Sequence, residues 1–180
     1  MLRIPLIIFI FLSINFSSKA QFTESKIYSF DNHQVVKWKV GDSLKLIDKK
    51  LPKEWEIRID SLEYGEGYEE YYKTFCIYLN NHLLVTIDPD WDKEVIDRFF
   101  IHSSLLHSKN GFKIGMTVKE FKNRYTIDKV LYEPDIGIIL LVKGFSGSFK
   151  IFSTSYDGDP SKLTKNNIPN NLIISEIVIC

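Results

Sequence analysis

The chain contains Lys39-Val-Gly-Asp-Ser-Leu-Lys-Leu-Ile47 and, 74 positions later, Lys113-Ile-Gly-Met-Thr-Val-Lys-Glu-Phe121. The similarity begins upstream of both stretches and has no gap, so that residues 26–47 align with residues 100–121 at six identical positions. Self-similarity at a fixed spacing indicates a supersecondary unit that occurs twice and cannot bury its apolar face alone. The sequence therefore predicts one compact domain made of two α/β repeats, residues 21–99 and residues 100–180.

Each copy contains a turn that predicts the start of a helix. A glycine is followed two positions later by serine or threonine, which are residue types that cap helix N-termini. Apolar residues then recur at helical spacing, as Leu44, Ile47 and Leu51 do in the first copy, and this indicates an amphipathic helix. The predicted structural turn residues are Gly41, Ser43, Gly115 and Thr117.

Segments with the period of β-strands follow each predicted helix. Residues 54–62 alternate between polar and apolar types, and Asn80-Asn81 predicts a two-residue hairpin turn because asparagine tolerates positive φ. The other predicted strands are residues 75–79, 82–87, 95–102, 129–132, 136–142, 148–153 and 173–179. Short connections favour antiparallel pairing. The predicted fold class is α+β: two tandem repeats, each a short amphipathic helix packed on an antiparallel β-sheet.

Residues 1–20 have the pattern of a signal peptide. Arg3 supplies a positive charge, residues 4–14 are apolar but too short to span a bilayer, and Ser18-Lys-Ala20 places small residues at a cleavage position. The mature chain is therefore expected to begin at Gln21 and to be periplasmic or secreted. Because no cysteine follows the apolar run, we expect no membrane anchor after signal cleavage.

The charge balance gives no reason to expect nucleic acid as a partner. Loss of Arg3 and Lys19 with the signal peptide leaves 21 basic residues against 23 acidic ones, a net charge of −2. A protein that binds nucleic acid or an anionic membrane normally carries a basic excess.

Cys76 and Cys180 are the two cysteines of the chain and form a candidate disulfide. Exported proteins meet oxidising conditions, under which this bridge would join the two halves. In the alternative interpretation, Cys76 lies within an apolar strand and acts as a small hydrophobic side chain. The sequence leaves both open, because a disulfide also requires a short Cα separation.

The tandem arrangement, with a Lys-[Val/Ile]-Gly-x-[Ser/Thr] turn before each helix, resembles the β-lactamase-inhibitor-protein-like superfamily. The stretch Phe112-Lys-Ile-Gly-Met-Thr-Val-Lys-Glu-Phe121 is also similar to the helix start of small envelope lipoproteins of the BamE/SmpA type. The resemblance covers the architecture of the mature chain. It implies a fold and a function in binding, and it implies neither catalytic residues nor particular contact residues.

The segment Tyr64-Gly-Glu-Gly-Tyr-Glu-Glu-Tyr-Tyr72 is the best candidate for a recognition loop. Tyrosines beside glycines and acidic groups supply a large contact area and lose little rotamer freedom on binding. Trp91, in the next predicted turn, is expected to join them, so the candidate partner-binding residues are Tyr64, Tyr68, Tyr71 and Trp91. In the alternative interpretation, Tyr71 begins a strand and the rest of the segment is a solvated turn.

Two motifs that resemble catalytic or metal sites lack essential positions. Gly144-Phe-Ser-Gly-Ser148 ends in serine where a nucleophile elbow needs glycine, and a hairpin turn is favoured. The run from Asp88 to Glu94 has oxygen ligands at alternate positions but lacks the glycine and the bidentate glutamate of a calcium loop. We expect no catalytic residues, no metal and no cofactor.

The sequence thus predicts a secreted or periplasmic, non-enzymatic module that binds another protein, as an inhibitor, an immunity protein or an envelope-assembly accessory protein. Two alternatives stay open. One is a structural envelope component without a discrete partner, and the other is a hydrolase whose catalytic residues do not form a recognisable motif.

Overall fold

The structure, a computed structural model, describes residues 28–63 and 71–180. The fold is α+β and consists mainly of strands, which form two sheets. Within the described residues, no helix has the length and apolar character needed to cross a membrane. The predicted signal peptide and the segment 64–70 lie outside the described residues.

The larger sheet has eight antiparallel strands. These are β4 (Glu56–Glu63), β5 (Tyr71–Leu79), β6 (His82–Asp90), β7 (Val95–Ile101), β9 (Ile127–Glu133), β10 (Gly137–Val142), β11 (Ser148–Ile151) and β12 (Glu176–Ile179). Their order across the sheet is β4-β5-β6-β7-β12-β11-β10-β9. The strands of the first half thus lie side by side in chain order, those of the second half lie side by side in the opposite order, and β7 pairs with β12 at the centre.

The smaller sheet has four short strands in the order β3-β2-β1-β8, and its β1–β8 pair is parallel. Its strands are β1 (Tyr28–Phe30), β2 (Gln34–Val35), β3 (Trp38–Lys39) and β8 (Leu106–Ser108). A 3₁₀ turn at Leu44–Leu46 leads into helix α1 (Ile47–Lys50), and α2 covers Val118–Lys122. Each helix is therefore little more than one turn long.

The core lies on one side of the larger sheet, here called its inner face. A single row of paired residues on this face is apolar across all eight strands: Ile57, Ile77, Val85, Ile101, Ile177, Phe149, Leu140 and Val130. The small sheet and both helices pack against it through buried side chains such as Trp38, Ile47 and Phe121. Cys76, which points to the opposite, outer face, does not belong to this core.

The predicted strands of the larger sheet and the predicted hairpins are confirmed, except that β6 continues to Asp90, where the sequence predicted a turn. Asn80 and Asn81 have φ angles of 50° and 63° in the turn between β5 and β6, the left-handed conformation that a two-residue hairpin needs. Gly144 to Ser148 connects β10 to β11 as a hairpin rather than a strand-to-helix elbow. Short connections do favour antiparallel neighbours, and every pair of the larger sheet is antiparallel.

The predicted arrangement of one helix on each of two sheets is not evident, and the strands of both halves instead form one continuous sheet. In the first half, the helix predicted over residues 44–51 is interrupted because Leu44–Leu46 is a 3₁₀ turn. This helix ends before Leu51, whose position before Pro52 favours an extended backbone.

The candidate disulfide between Cys76 and Cys180 is not formed, since both thiols are free. Cys76 is buried on β5, whereas Cys180 is exposed immediately after β12. Strands β6 and β7 separate β5 from β12, so the two backbones are three strand spacings apart, which is about 14 Å. A disulfide requires a Cα separation below about 7 Å.

Candidate functional site

The outer face of the larger sheet carries a groove of about 590 Å³ over strands β4 to β7. We call it the outer-face groove. It combines acidic, basic, hydroxyl and aromatic groups on a face of the sheet whose side chains lie outside the main core. Its lining residues are Asp60, Thr74, Cys76, Tyr78, Leu83, Thr86, Asp88, Arg98, Phe100 and His102.

An ion pair between a buried carboxylate and an exposed guanidinium lies at one end of the groove. Asp88 on β6 lies opposite Arg98 on β7, and the Arg98 Nε atom is 3.1 Å from Asp88 Oδ2. Arg98 is held further by Asp97 at 2.7 Å. Burial raises the pKa of Asp88 above its usual value, although the charge of Arg98 acts in the opposite direction. Asp88 Oδ1 is buried and accepts no hydrogen bond from the described residues.

A chain of polar contacts links two residues of the groove, Thr86 and His102, to Glu176 on β12. His102 Nε2 is 3.0 Å from the hydroxyl oxygen of Thr86, and His102 Nδ1 is 3.3 Å from Glu176 Oε2. Burial lowers the pKa of His102, and the opposing effect of Glu176 is smaller. Burial therefore favours the neutral form of the imidazole.

Glu176 is balanced by a cation on the next strand. The Lys150 Nζ atom is 2.6 Å from Glu176 Oε1 and 4.8 Å from the centre of the Phe100 ring. The geometry of the contact between Lys150 Nζ and Glu176 Oε1 does not meet the requirements of a hydrogen bond, so the interaction is an ion pair. Lys150 therefore contacts both Glu176 and the ring of Phe100.

Thr86, His102 and Glu176 lie in the sequence of contacts found in a catalytic triad, in which a hydroxyl nucleophile contacts a histidine base and the base contacts a carboxylate. If Nδ1 donates to Glu176, then Nε2 accepts from the Thr86 hydroxyl and can polarise it. Acyl transfer also needs backbone N–H donors for the developing oxyanion. Strand β6 is paired on both sides around Thr86, with Cys76 on β5 and with Phe100 on β7, so its backbone groups are already used by the sheet.

Trp91 lies in the turn between β6 and β7, at the end of the sheet where β4 ends and β5 begins. Its indole Nε1–H donates to the Lys73 carbonyl at 3.1 Å, its ring packs 5.9 Å from that of Phe75, and the residue is 42% exposed. Tyr71 begins β5, while Tyr64 and Tyr68 lie outside the described residues. Because Phe75 belongs to the inner side of the sheet, Trp91 is not part of the outer-face groove.

Sequence reasoning did not identify the groove residues, although one signal was present. Thr86 and Asp88 alternate with the apolar residues of β6, which indicates that they share a face of the sheet. Their partners could not be found, because Arg98, His102 and Glu176 reach them only through the registers of β6–β7 and β7–β12. Among residues 28–63 and 71–180, no three His, Cys, Asp or Glu side chains form a group able to hold a metal ion.

Comparison with known proteins identifies the fold. No protein-family model matches the chain, and no curated protein matches it. Among solved structures, it is similar to the crystal structure of the uncharacterized protein yfeY from Escherichia coli, with a TM-score of 0.63 and 12% sequence identity. The match covers 84% of this chain and 98% of that chain. Identity at this level supports a shared fold alone.

Proposed function

We propose that this protein is exported and works, without catalysis, by binding another protein through the outer face of its eight-stranded sheet. The observation that carries the proposal is the outer-face groove. Charged and aromatic side chains are held there by contacts within the protein, in a concave surface spanning four strands. Fixed polar groups around aromatic contacts favour protein recognition, because little side-chain freedom remains to be lost on binding.

The resemblance noted in the sequence is consistent with this mode of action. The β-lactamase-inhibitor-protein-like superfamily implies a binding function, and its architecture implies two related halves. We therefore also propose that residues 21–99 and 100–180 derive from one α/β unit whose strands have merged into a single sheet. An inhibitor, an immunity protein or an envelope-assembly accessory protein would each use such a surface.

Trp91 supports a second candidate surface for the same function. A tryptophan that is 42% exposed while its indole N–H is held by Lys73 presents a fixed aromatic face. Glu63 and Tyr71, which flank residues 64–70 in the sequence, are paired with each other, and Tyr71 is two positions from Lys73. The partner-binding residues Tyr64, Tyr68, Tyr71 and Trp91 would then form one recognition patch at this end.

Substitutions on the two surfaces separate these possibilities. The protein is tagged and used to capture a partner from the envelope fraction of its source organism, and the affinity for the purified partner is then measured. Tyr78→Ala removes a half-buried aromatic residue of the groove, and Trp91→Ala removes the aromatic residue of the second surface. Loss of a central aromatic contact commonly costs about 2 kcal/mol, which is more than tenfold in affinity.

We expect Tyr78→Ala to weaken binding more than tenfold with a nearly unchanged melting curve, while Trp91→Ala retains binding. The reverse result would place the partner on the Trp91 surface, where Tyr68→Ala should then have the same effect. If the native protein captures no partner, the alternative of a structural envelope component is favoured.

A hydrolase is the remaining alternative, and the contact between Thr86 and His102 gives it a specific test. The native protein and Thr86→Ala are assayed against broad panels of ester, peptide and glycoside substrates. Activity that is lost in Thr86→Ala would contradict the non-enzymatic proposal. Activity equal in both proteins would come from a contaminant or from another site.

A further inference from the structure

Strand β4 is one edge of the eight-stranded sheet and pairs only with β5 among the described residues. An edge strand presents unpaired N–H and C=O groups along its free side, and proteins usually protect it with a covering segment or with a charge that points inward. The other edge, β9, is contacted by the 3₁₀ turn at Pro160–Lys162. Within the part of the chain that the structure describes, the two edges of this sheet therefore differ in their cover.

On β4, the residue that points to the inner face in the middle of the strand is the apolar Ile59, where a protecting charge could stand. Ile59 shares the inner face with Ile57 and is 62% exposed, the highest value among the exposed large hydrophobic residues of the described chain. It lies opposite Phe75, which in turn packs against Trp91. An apolar strip thus runs across the inner side of the sheet and reaches its open edge.

The charges of β4 flank Ile59 on the outer face and have opposite signs. Arg58 precedes Ile59 and is bound to Glu56 and Asn81, with guanidinium hydrogens remaining for further acceptors. Asp60 follows Ile59, is exposed and has no ion pair within the described residues. The sequence Arg-Ile-Asp is therefore complementary to itself when two copies run antiparallel.

Charge selects one register for such a pair. Two antiparallel registers join seven of the eight β4 residues across a twofold axis, one centred on Ile59 and one centred on Asp60. The register centred on Asp60 places two carboxylates opposite each other, which is unfavourable. The register centred on Ile59 places Ile59 against Ile59 and pairs Arg58 of each copy with Asp60 of the other.

We propose that a second copy of this chain docks along β4 in the Ile59-centred register, joining two eight-stranded sheets edge to edge. The interface is isologous, as a twofold axis requires. It supplies backbone hydrogen bonds, one apolar contact and two Arg58–Asp60 pairs. Because seven residue pairs form a small interface, the dimer dissociates in the micromolar range or more weakly.

The experiment measures the mass of the purified protein by sedimentation between about 1 µM and about 1 mM, the range in which weak pairs dissociate. We expect reversible dimers of the native chain. Arg58→Asp and Asp60→Arg each place like charges opposite one another, so each variant alone should dimerise at least tenfold more weakly. Ile59→Lys should have a similar effect.

A mixture of the two charge variants tests directly whether Arg58 of one copy faces Asp60 of the other. In an equimolar mixture, the carboxylate introduced by Arg58→Asp faces the guanidinium introduced by Asp60→Arg. The native Asp60 of the first variant faces the native Arg58 of the second, so heterodimers should form with near-native affinity. Misfolding of either variant cannot produce this recovery. Lys129→Asp, the same charge reversal on the exposed part of the opposite edge strand, is the matched control and should dimerise as the native protein does.

A monomer at every concentration would overturn the proposal. It would be overturned equally by a dimer that is insensitive to both charge reversals, since such a dimer uses another surface. A mixture that fails to recover dimers would show that Arg58 and Asp60 do not face each other.

Discussion

The turns at Gly41 and Gly115 are held in the same way, yet the helices that follow them differ. Gly41 and Gly115 have φ angles of +85° and +87°, and their N–H groups donate to the carbonyls of Ile96 and Ile174 at 2.8 and 2.9 Å. Two residues after each glycine, an isolated antiparallel β-bridge forms in both halves. It pairs Ser43 with Val95 in the first half and Thr117 with Ile173 in the second. Each turn is therefore fixed by the segment at or just before the last strand of its own half.

The capping residues account for the difference in the helices. The Thr117 hydroxyl accepts from the Glu120 N–H, and the Glu120 carboxylate accepts from the Thr117 N–H, which forms a capping box. The Ser43 side chain makes no capping hydrogen bond, and the position equivalent to Glu120 is Leu46. The first half accordingly starts with a 3₁₀ turn, while the second starts directly with α-helix. Two turns that are held by the same tertiary contacts can therefore be followed by helices of different type.

The largest expected effect comes from the buried helix residues at equivalent positions, Ile47 and Phe121. Phe121 packs its ring 4.7 Å from Phe149 and 5.7 Å from Phe112, and both equivalent residues are 1% exposed. We expect Phe121→Ala to lower the free energy of unfolding by about 4 kcal/mol and Ile47→Ala by about 3 kcal/mol. Urea unfolding measures both. Lys119→Ala, on the exposed side of α2, should change it by less than about 0.5 kcal/mol.

The two glycine turns should be equally sensitive to substitution. Nothing lies within 4 Å of a Cβ atom added at Gly41 or at Gly115, so alanine there meets backbone strain without a steric clash. A left-handed conformation costs an L-residue roughly 1 to 2 kcal/mol. We expect Gly41→Ala and Gly115→Ala to lose this amount each in thermal or urea unfolding. Clearly unequal losses would contradict the equivalence of the turns, and asparagine at either position should cost less than alanine.

The capping residues should respond differently. Thr117→Ala removes the hydroxyl that accepts from the Glu120 N–H, although the Thr117 backbone N–H is kept, and should cost about 1 kcal/mol. Ser43→Ala removes no capping bond and should change the free energy of unfolding by less than about 0.5 kcal/mol. Equal losses for the two variants, measured under the same conditions, would show that the helix starts do not differ in the way the structure describes.

The smallest effect concerns pH and compares Tyr28 with His102, which occupy equivalent positions of the sequence repeat. Because burial lowers the pKa of His102, the unfolded chain binds this proton more readily, and stability falls as the pH drops below about 6.5. Burial raises the pKa of Tyr28 above 10, so it does not titrate in this range. Unfolding measured from pH 7 to pH 5 should show a weaker pH dependence in His102→Gln than in the native protein. An unchanged slope would assign the dependence to another group.

Local sequence signals were sufficient for the strands of the larger sheet but not for every element of the fold. Period-two alternation located the strands of both halves, and Asn80-Asn81 identified a hairpin turn, because strand faces and positive φ depend on neighbouring residues alone. The same signals overestimated the length of the first helix. Its apolar spacing favours a longer helix, but Ser43 makes no capping hydrogen bond at its start and Pro52 follows its end. They also omitted the small sheet, whose strands of two or three residues are too short to show a period.

The sequence alone determined the α+β class, the position of the glycine turns and the alternation along the strands. Only the tertiary structure decided that β7 pairs with β12, which joins both halves into one sheet and brings Glu176 to His102. It also decided that Arg98 faces Asp88 and that, within the described residues, β4 pairs on one side only. The reason is physical: strand alternation is a property of neighbouring residues, whereas register and strand order depend on the packing of segments distant along the chain.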